Sequence, residues 1–140
     1  MIVLDTNVVS ALMRRDPDPA VITWLDGVPA ESVWTTAITV FEVRFGLALL
    51  LASRRRRRLE EAFARALQED LESRILSFDH NAAQAAGILA AKLRREGRSV
   101  EIRDTLIAGI VTARKATLAT RNTRHFEGID LSLVDPWSAG

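Results

Sequence analysis

Short β-type segments alternate with helical ones along this chain. That alternation predicts an α/β fold with a central parallel sheet of about five strands and helices on both faces. Two details of the N-terminus support it. Ile2-Val3-Leu4 is a continuous apolar run, as a strand covered on both sides requires. The run ends at Asp5, just before a helical segment, which is where open parallel α/β sheets carry their chemistry. No linker, repeat or low-complexity stretch divides residues 1–140, so the sequence predicts one domain.

Each element has a local reason. Residues 1–5 read as a buried strand, and residues 6–13 as a short helix closed by the Asp16-Pro17-Asp18-Pro19 turn. Residues 18–27 form a second helix, with Val21, Trp24 and Leu25 on one face and Gly27 and Pro29 stopping it. Ser32–Thr35 is a strand, after which Thr36 caps a helix that runs to about Leu51. Residues 53–72 make a long polar-faced helix and Ile75–Ser77 the next strand. Asp79 caps an alanine- and leucine-rich helix that reaches Arg95, with Gly97 as its stop signal. Val100–Arg103 is an extended approach to a helix from Asp104 to about Lys115. Thr117–Thr120 is a strand, Asn122–Phe126 a turn of helix, and Leu131–Val134 the last strand.

Composition narrows the function classes. A chain of 140 residues can bury roughly 70% of the surface that its unfolded form exposes. No apolar run approaches the roughly 20 residues of a membrane span, since Arg44 and Gly46 interrupt Val43–Leu51. No basic leader precedes the first apolar run, and Asp5 ends that run too early for a signal peptide. The absence of cysteine excludes disulfides and thiolate metal sites, and the expected compartment is the cytoplasm. Net charge is only +1, so the whole molecule is no electrostatic magnet for nucleic acid. Lysine occurs only at Lys92 and Lys115, however, and the arginine bias fits either a polyanionic partner or a GC-rich genome.

Three acids stand out. In the helix after Thr36, Ile38, Phe41, Phe45 and Leu49 share a stripe, which predicts a core-facing position for Glu42 beside them. A carboxylate there costs several kcal/mol unless a cation or strong donors receive it. The alternative is a rim glutamate paired with an arginine from elsewhere. Asp5 and Asp104 each have a helix-capping reading as well as a functional one, whereas Asp79 reads as a plain cap. If the three converge within a few ångströms, some must take protons unless a divalent ion joins them. Oxygen-only donors suit Mg²⁺ or Mn²⁺ better than Zn²⁺. Such an ion can polarise a phosphoryl oxygen and lower the pKa of water.

Four segments, taken together and in order, resemble the PIN domain, specifically toxins of the VapC/FitB type. They are Ile2–Asn7, Thr36–Glu42, Arg103–Ala108 and Ala119–Phe126. The resemblance implies a Mg²⁺-dependent ribonuclease centre at the strand ends and a place in a type II toxin–antitoxin pair. It carries Asp5, Glu42 and Asp104 onto the family's acidic positions, with Asp5 and Asp104 as principal metal ligands. The fourth position, often Asp, falls on Asn122, which can hold a water or a phosphate but adds no charge. Thr120 reads either as a partner of a water on the ion or as a strand-end hydroxyl. The resemblance also implies two partners. One is a second copy of the chain. The other is an antitoxin segment laid across the helices around residues 36–70, with a basic side chain reaching the acidic pocket. Two other readings stand beside this one: a metal-dependent DNA nuclease, and a non-catalytic module whose acids receive a partner's arginine.

Among the remaining residues, Arg121 and Arg124 are the best phosphate-contact candidates because they flank Asn122. Arg54–Arg58 point all round their helix, which favours a solvated or partner-contacting face over an RNA stripe; some must pair with Glu60 or Glu61. His125, before an apolar Phe, and His80 read as structural more readily than as proton carriers. Trp24, Trp34 and Trp137 read as core or interface aromatics. The helix with Glu42 is apolar on its other side too, at Val40, Val43, Leu47 and Leu50, so it is either buried all round or meets a partner.

Overall fold

The structure, a computed structural model, describes residues 1–138. Five parallel strands form the sheet: β1 (Ile2–Leu4), β2 (Val33–Thr36), β3 (Ile75–Leu76), β4 (Thr117–Ala119) and β5 (Ser132–Val134). Their spatial order is β3-β2-β1-β4-β5, with Val3 opposite both Trp34 and Leu118. The predicted parallel α/β fold is therefore the observed one. The N-terminal strand lies at its centre. The chain builds outward from β1 to β3, then crosses back to place β4 on the other side of β1. That reversal leaves a crevice beyond the carboxyl ends of β1 and β4, the usual ligand position in such sheets.

Six helices cover the sheet: α1 (Thr6–Leu12), α2 (Pro19–Asp26), α3 (Ala37–Leu49), α4 (Arg54–Arg65), α5 (His80–Arg95) and α6 (Ile102–Arg114). Successive strand residues point to opposite faces, so Leu4 and Val3 seed two cores. Leu4 packs with Val8, Val9, Val21, Val43, Leu47 and Phe63. Val3 packs with Ile107, Ile110, Val111, Leu118 and Phe126. Trp24 and Trp137 adjoin the first core and Trp34 the second. Helices α5 and α6 touch so closely at Gly109 that a Cβ there would lie 2.6 Å from Ala86 Cβ.

Three expectations are corrected. The stripe chosen for α3 is the wrong one: Phe41, Phe45 and Leu49 are 57%, 51% and 70% exposed, while Thr39, Val43 and Leu47 are buried. The helix is turned by about one residue, roughly 100°. Threonine hydroxyls explain the choice. Thr36 Oγ1 accepts from Thr39 N–H at 3.1 Å, and Thr39 Oγ1 lies 3.1 Å from Thr6 Oγ1, so the polar atoms of this face are satisfied inside. Second, α6 begins at Ile102 and not at Asp104, because Glu101 is its cap and accepts from the backbone N–H groups of Arg103 (2.8 Å) and Asp104 (3.3 Å). Third, the helix expected over 53–72 ends at Arg65 and relaxes into a wider π turn over Ala66–Asp70. Within the arginine run, Arg56 meets Glu60 at 2.8 Å and Leu50 O at 3.0 Å; Arg54, Arg55 and Arg57 are exposed.

Candidate active site

Asp5 follows β1 at the crevice and is 4% exposed. Its Oδ1 accepts from Thr6 N–H at 2.8 Å and its Oδ2 from the Thr120 hydroxyl at 2.7 Å. It therefore does cap α1, but with one oxygen only. Thr120, fully buried at the end of β4, also accepts from Asn7 Nδ2 at 3.2 Å and from Asn122 N–H at 3.1 Å. Asn7 Oδ1 in turn accepts from Arg121 N–H at 3.1 Å. One hydroxyl thus ties the two strand ends of the crevice together, and nothing in the spacing of Asn7 and Thr120 along the chain announces their contact.

Glu42 sits at the inner edge of α3, half-buried, where its Oε1 accepts from the Thr6 hydroxyl at 3.0 Å. With the Thr6 proton given to Glu42, Thr39 donates to Thr6 and Thr36 to Thr39 at 3.4 Å, forming a file of hydroxyls behind the carboxylate. Arg103 Nη1 lies 3.8 Å from Glu42 Oε2, so the rim reading, an arginine from elsewhere, is partly realised. That arginine's shorter contact is with Glu101 at 2.9 Å. Asp104, freed from capping, turns into the crevice and places Oδ2 3.2 Å from His125 Nδ1. The histidine that reads as structural in the sequence therefore stands against one of the acids.

The electrostatics of the three agree. Burial pushes the carboxyl of Asp5 above its ordinary range, opposed by the Thr120 and Thr6 hydrogen bonds and reinforced by the charge of Asp104. Burial raises Glu42 too, opposed by Thr6 and Arg103 and reinforced by Asp5 and Asp104. Asp104 is raised by burial and held back by His125. In all three the main cause is burial, and only part of it is offset by hydrogen bonds and neighbouring charge.

The acids do not, however, pack into a tight cage. Among the described residues no three His, Asp or Glu side chains are grouped closely enough to enclose an ion unaided. Each acid is drawn towards its own donor: Asp5 to Thr120, Glu42 to Thr6 and Asp104 to His125. Ionised carboxylates have about four acceptor positions each, and these contacts leave some of them free. The set fits a Mg²⁺-type ion that keeps several waters and takes one or two carboxylates.

The other candidates lie around the rim. Asn122 is exposed and joined to the centre through its backbone N–H. Arg121 lays its guanidinium over the Trp137 ring, 4.8 Å from the centroid. Arg124 lines an open cleft of about 470 Å³ beside Asp104 and His125.

The family model of the PIN domain matches residues 2–130. Plasmid stability protein StbB of Pseudomonas syringae pv. tomato is 40% identical over 139 residues, covering 99% of this chain and 100% of that protein. VapC ribonuclease Y4jK of Sinorhizobium fredii is 38% identical over 137 residues, 98% of each chain. The crystal structure of FitAcB from Neisseria gonorrhoeae superimposes with a TM-score of 0.87 at 35% identity, covering 99% of both chains. With a family model matched over most of its length and a whole-chain likeness in both sequence and fold, the chain belongs to the PIN-domain family, on the branch of the VapC and FitB toxins.

Proposed function

We propose that this chain is the toxin of a type II toxin–antitoxin pair and a Mg²⁺-dependent endoribonuclease of the cytoplasm. The observation that supports the reading is the placement of Asp5, Glu42 and Asp104 around one crevice, where burial raises all three pKa values and the charges of Asp5 and Asp104 add to the effect on Glu42. Asp5 and Asp104 would hold Mg²⁺ or Mn²⁺. When bound, the ion supplies the charge that polarises a phosphoryl oxygen and makes water acidic enough to attack.

The chain's own groups do the rest. Glu42, aimed by the Thr6 hydroxyl, orients and deprotonates the attacking water for in-line displacement. Its raised pKa brings it closer to working pH as a base. Thr120 keeps Asp5 turned to the crevice, and Asn122 holds a water or a phosphate oxygen at the rim. Arg124 and Arg121 contact phosphates; Arg121's ring contact leaves its N–H edge available. The exposed side of α3, with Phe41 and Phe45 stacked at 6.0 Å between centroids, gives the antitoxin or a second copy an apolar landing surface.

Asp5→Asn and Asp104→Asn are expected to abolish cleavage of single-stranded or looped RNA. Their stability should stay within about 1 kcal/mol of the parent, since a lost hydrogen bond, ~0.5–1.5 kcal/mol, is offset by removing a desolvated charge. Matched RNA and DNA oligonucleotides with Mg²⁺ are the assay. Cleavage by either variant at the parent's rate removes the assignment, and cleavage of DNA in preference to RNA changes the substrate.

A further inference from the structure

The cleft beside Asp104 is lined by two acids, two arginines and a histidine. One wall is the Arg98–Glu101 segment between α5 and α6, the other the turn carrying Arg124 and His125, and Asp104 stands between them. Its acids are already engaged: Glu101 holds Arg103 and the first turn of α6, and Asp104 holds His125. Its arginines are not. Among the described residues neither Arg98 nor Arg124 has a carboxylate within ion-pair reach.

The backbone of Arg98 is fixed at the end of α5. Its backbone N–H closes the end of α5 by donating to Leu93 O at 2.9 Å, next to Gly97 at φ +71°. Its guanidinium lies over Gly128, at φ +75°, where a Cβ would stand 3.0 Å from Nη1. The glycine leaves room for the arginine's Nη1 to approach the turn after Phe126. Arg98 is half-buried, unlike Arg124, the other arginine of the cleft, which is exposed. An arginine half-buried at a fixed backbone position with no acid beside it leaves a planar fork of donors for an anion from outside, and phosphate is the geometry that such a fork matches. The volume of about 470 Å³ is within the roughly 300–1,000 Å³ of small-ligand sites and suits a nucleotide-sized piece of a strand.

The geometry points to this cleft as the subsite for the RNA phosphate next to the one that is cut, gripped between Arg98 and Arg124 on the Asp104 side of the centre. The inference rests on the nuclease reading and adds to it the direction in which the strand leaves the acids. Arg98 makes the subsite recognisable, and it lies outside the four segments that identify the family.

The test is binding of a labelled single-stranded RNA to the uncleaving Asp5→Asn chain, titrated at several salt concentrations, with Arg98→Gln and Arg124→Gln added singly. Lys115→Gln serves as the control, because Lys115 precedes β4 and so lies at the opposite end of the sheet. Each arginine variant is expected to raise Kd several-fold and to flatten the salt dependence by about 0.7 in log–log slope, one phosphate contact's worth. In chains with Asp5 restored, KM should rise with little change in kcat. Lys115→Gln should do neither. Arginine variants that bind RNA like the control overturn the subsite while leaving cleavage by the parent, and hence the nuclease reading, intact. Variants that instead lose only their protein partner assign the cleft to that partner and overturn it as well. If the parent neither cuts nor binds RNA, the nuclease reading fails and takes the subsite with it.

Discussion

Thr120 is the residue on which the centre's geometry depends most. Its hydroxyl gives its proton to Asp5 and accepts from Asn7 and from the backbone of Asn122, so all its hydrogen-bonding capacity is used. Thr120→Val keeps the shape but takes from buried Asp5 its hydroxyl donor, at about 1–3 kcal/mol, and leaves the part-buried Asn7 and Asn122 donors without their acceptor. It is expected to lower stability by roughly 2 kcal/mol in urea denaturation and to weaken Mg²⁺ binding, with Thr120→Ser restoring both. Equal metal affinity in the valine variant would remove its positioning role. Of this network the sequence shows Asp5, and it presents Thr120 with two readings that only the 115-residue separation closed by the fold can separate.

At the scale of elements, α3 and the α5–α6 pair carry opposite lessons. Periodicity shows that α3 has apolar residues on two sides, and it cannot say which side the sheet takes. Threonine hydroxyls that satisfy one another decide it, leaving Phe41, Phe45 and Leu49 outside. The double variant Phe41→Ser/Phe45→Ser is therefore expected to keep the parent's melting temperature, since exposed substitutions usually stay within about 0.5 kcal/mol each. If this side is the proposed landing surface, the variant should lose association with an antitoxin or a second copy, read by co-purification and by sedimentation. Were these rings core residues, the same change would cost several kcal/mol and unfold the chain. Gly109→Ala makes the contrary prediction. The added methyl meets Ala86 Cβ, Ala82 O and Ala86 N between 2.6 and 2.9 Å, and two of these are backbone atoms. Overpacking of that kind costs about 1–3 kcal/mol, and it would shift α6 and with it Asp104. Chemical denaturation and residual cleavage should fall together.

For the whole molecule, the reversal of strand order at β1 and β4 brings together residues from both ends of the chain. That arrangement sets Asp5 and Asp104 near enough for the charge of one to raise the pKa of the other. Bound Mg²⁺ is expected to raise the melting temperature by mass action, about 2.7 kcal/mol at a hundred times Kd. The sign of its pH dependence follows from the acids. Their pKa values are raised above the ordinary 3.8 and 4.5, so protons compete with the ion as pH falls, and the shift should shrink from pH 7 towards pH 5. Differential scanning fluorimetry with and without Mg²⁺ at both pH values checks this. A shift that is absent at millimolar metal, or that grows on acidification, contradicts the proposed ligands.

By itself the sequence determined the order of strands and helices, the parallel class of the sheet and the family, because apolar runs, caps and short motifs are local signals. It also singled out Asp5, Glu42 and Asp104 as the acids. The tertiary structure decided that Glu101 and not Asp104 caps α6, that His125 stands on Asp104, that Arg103 reaches Glu42 and that Arg98 and Arg124 line one cleft. The reason is physical: a helix advertises that it has a face to bury, while the partner of that face, and of every polar group on it, is set by residues far away in the chain.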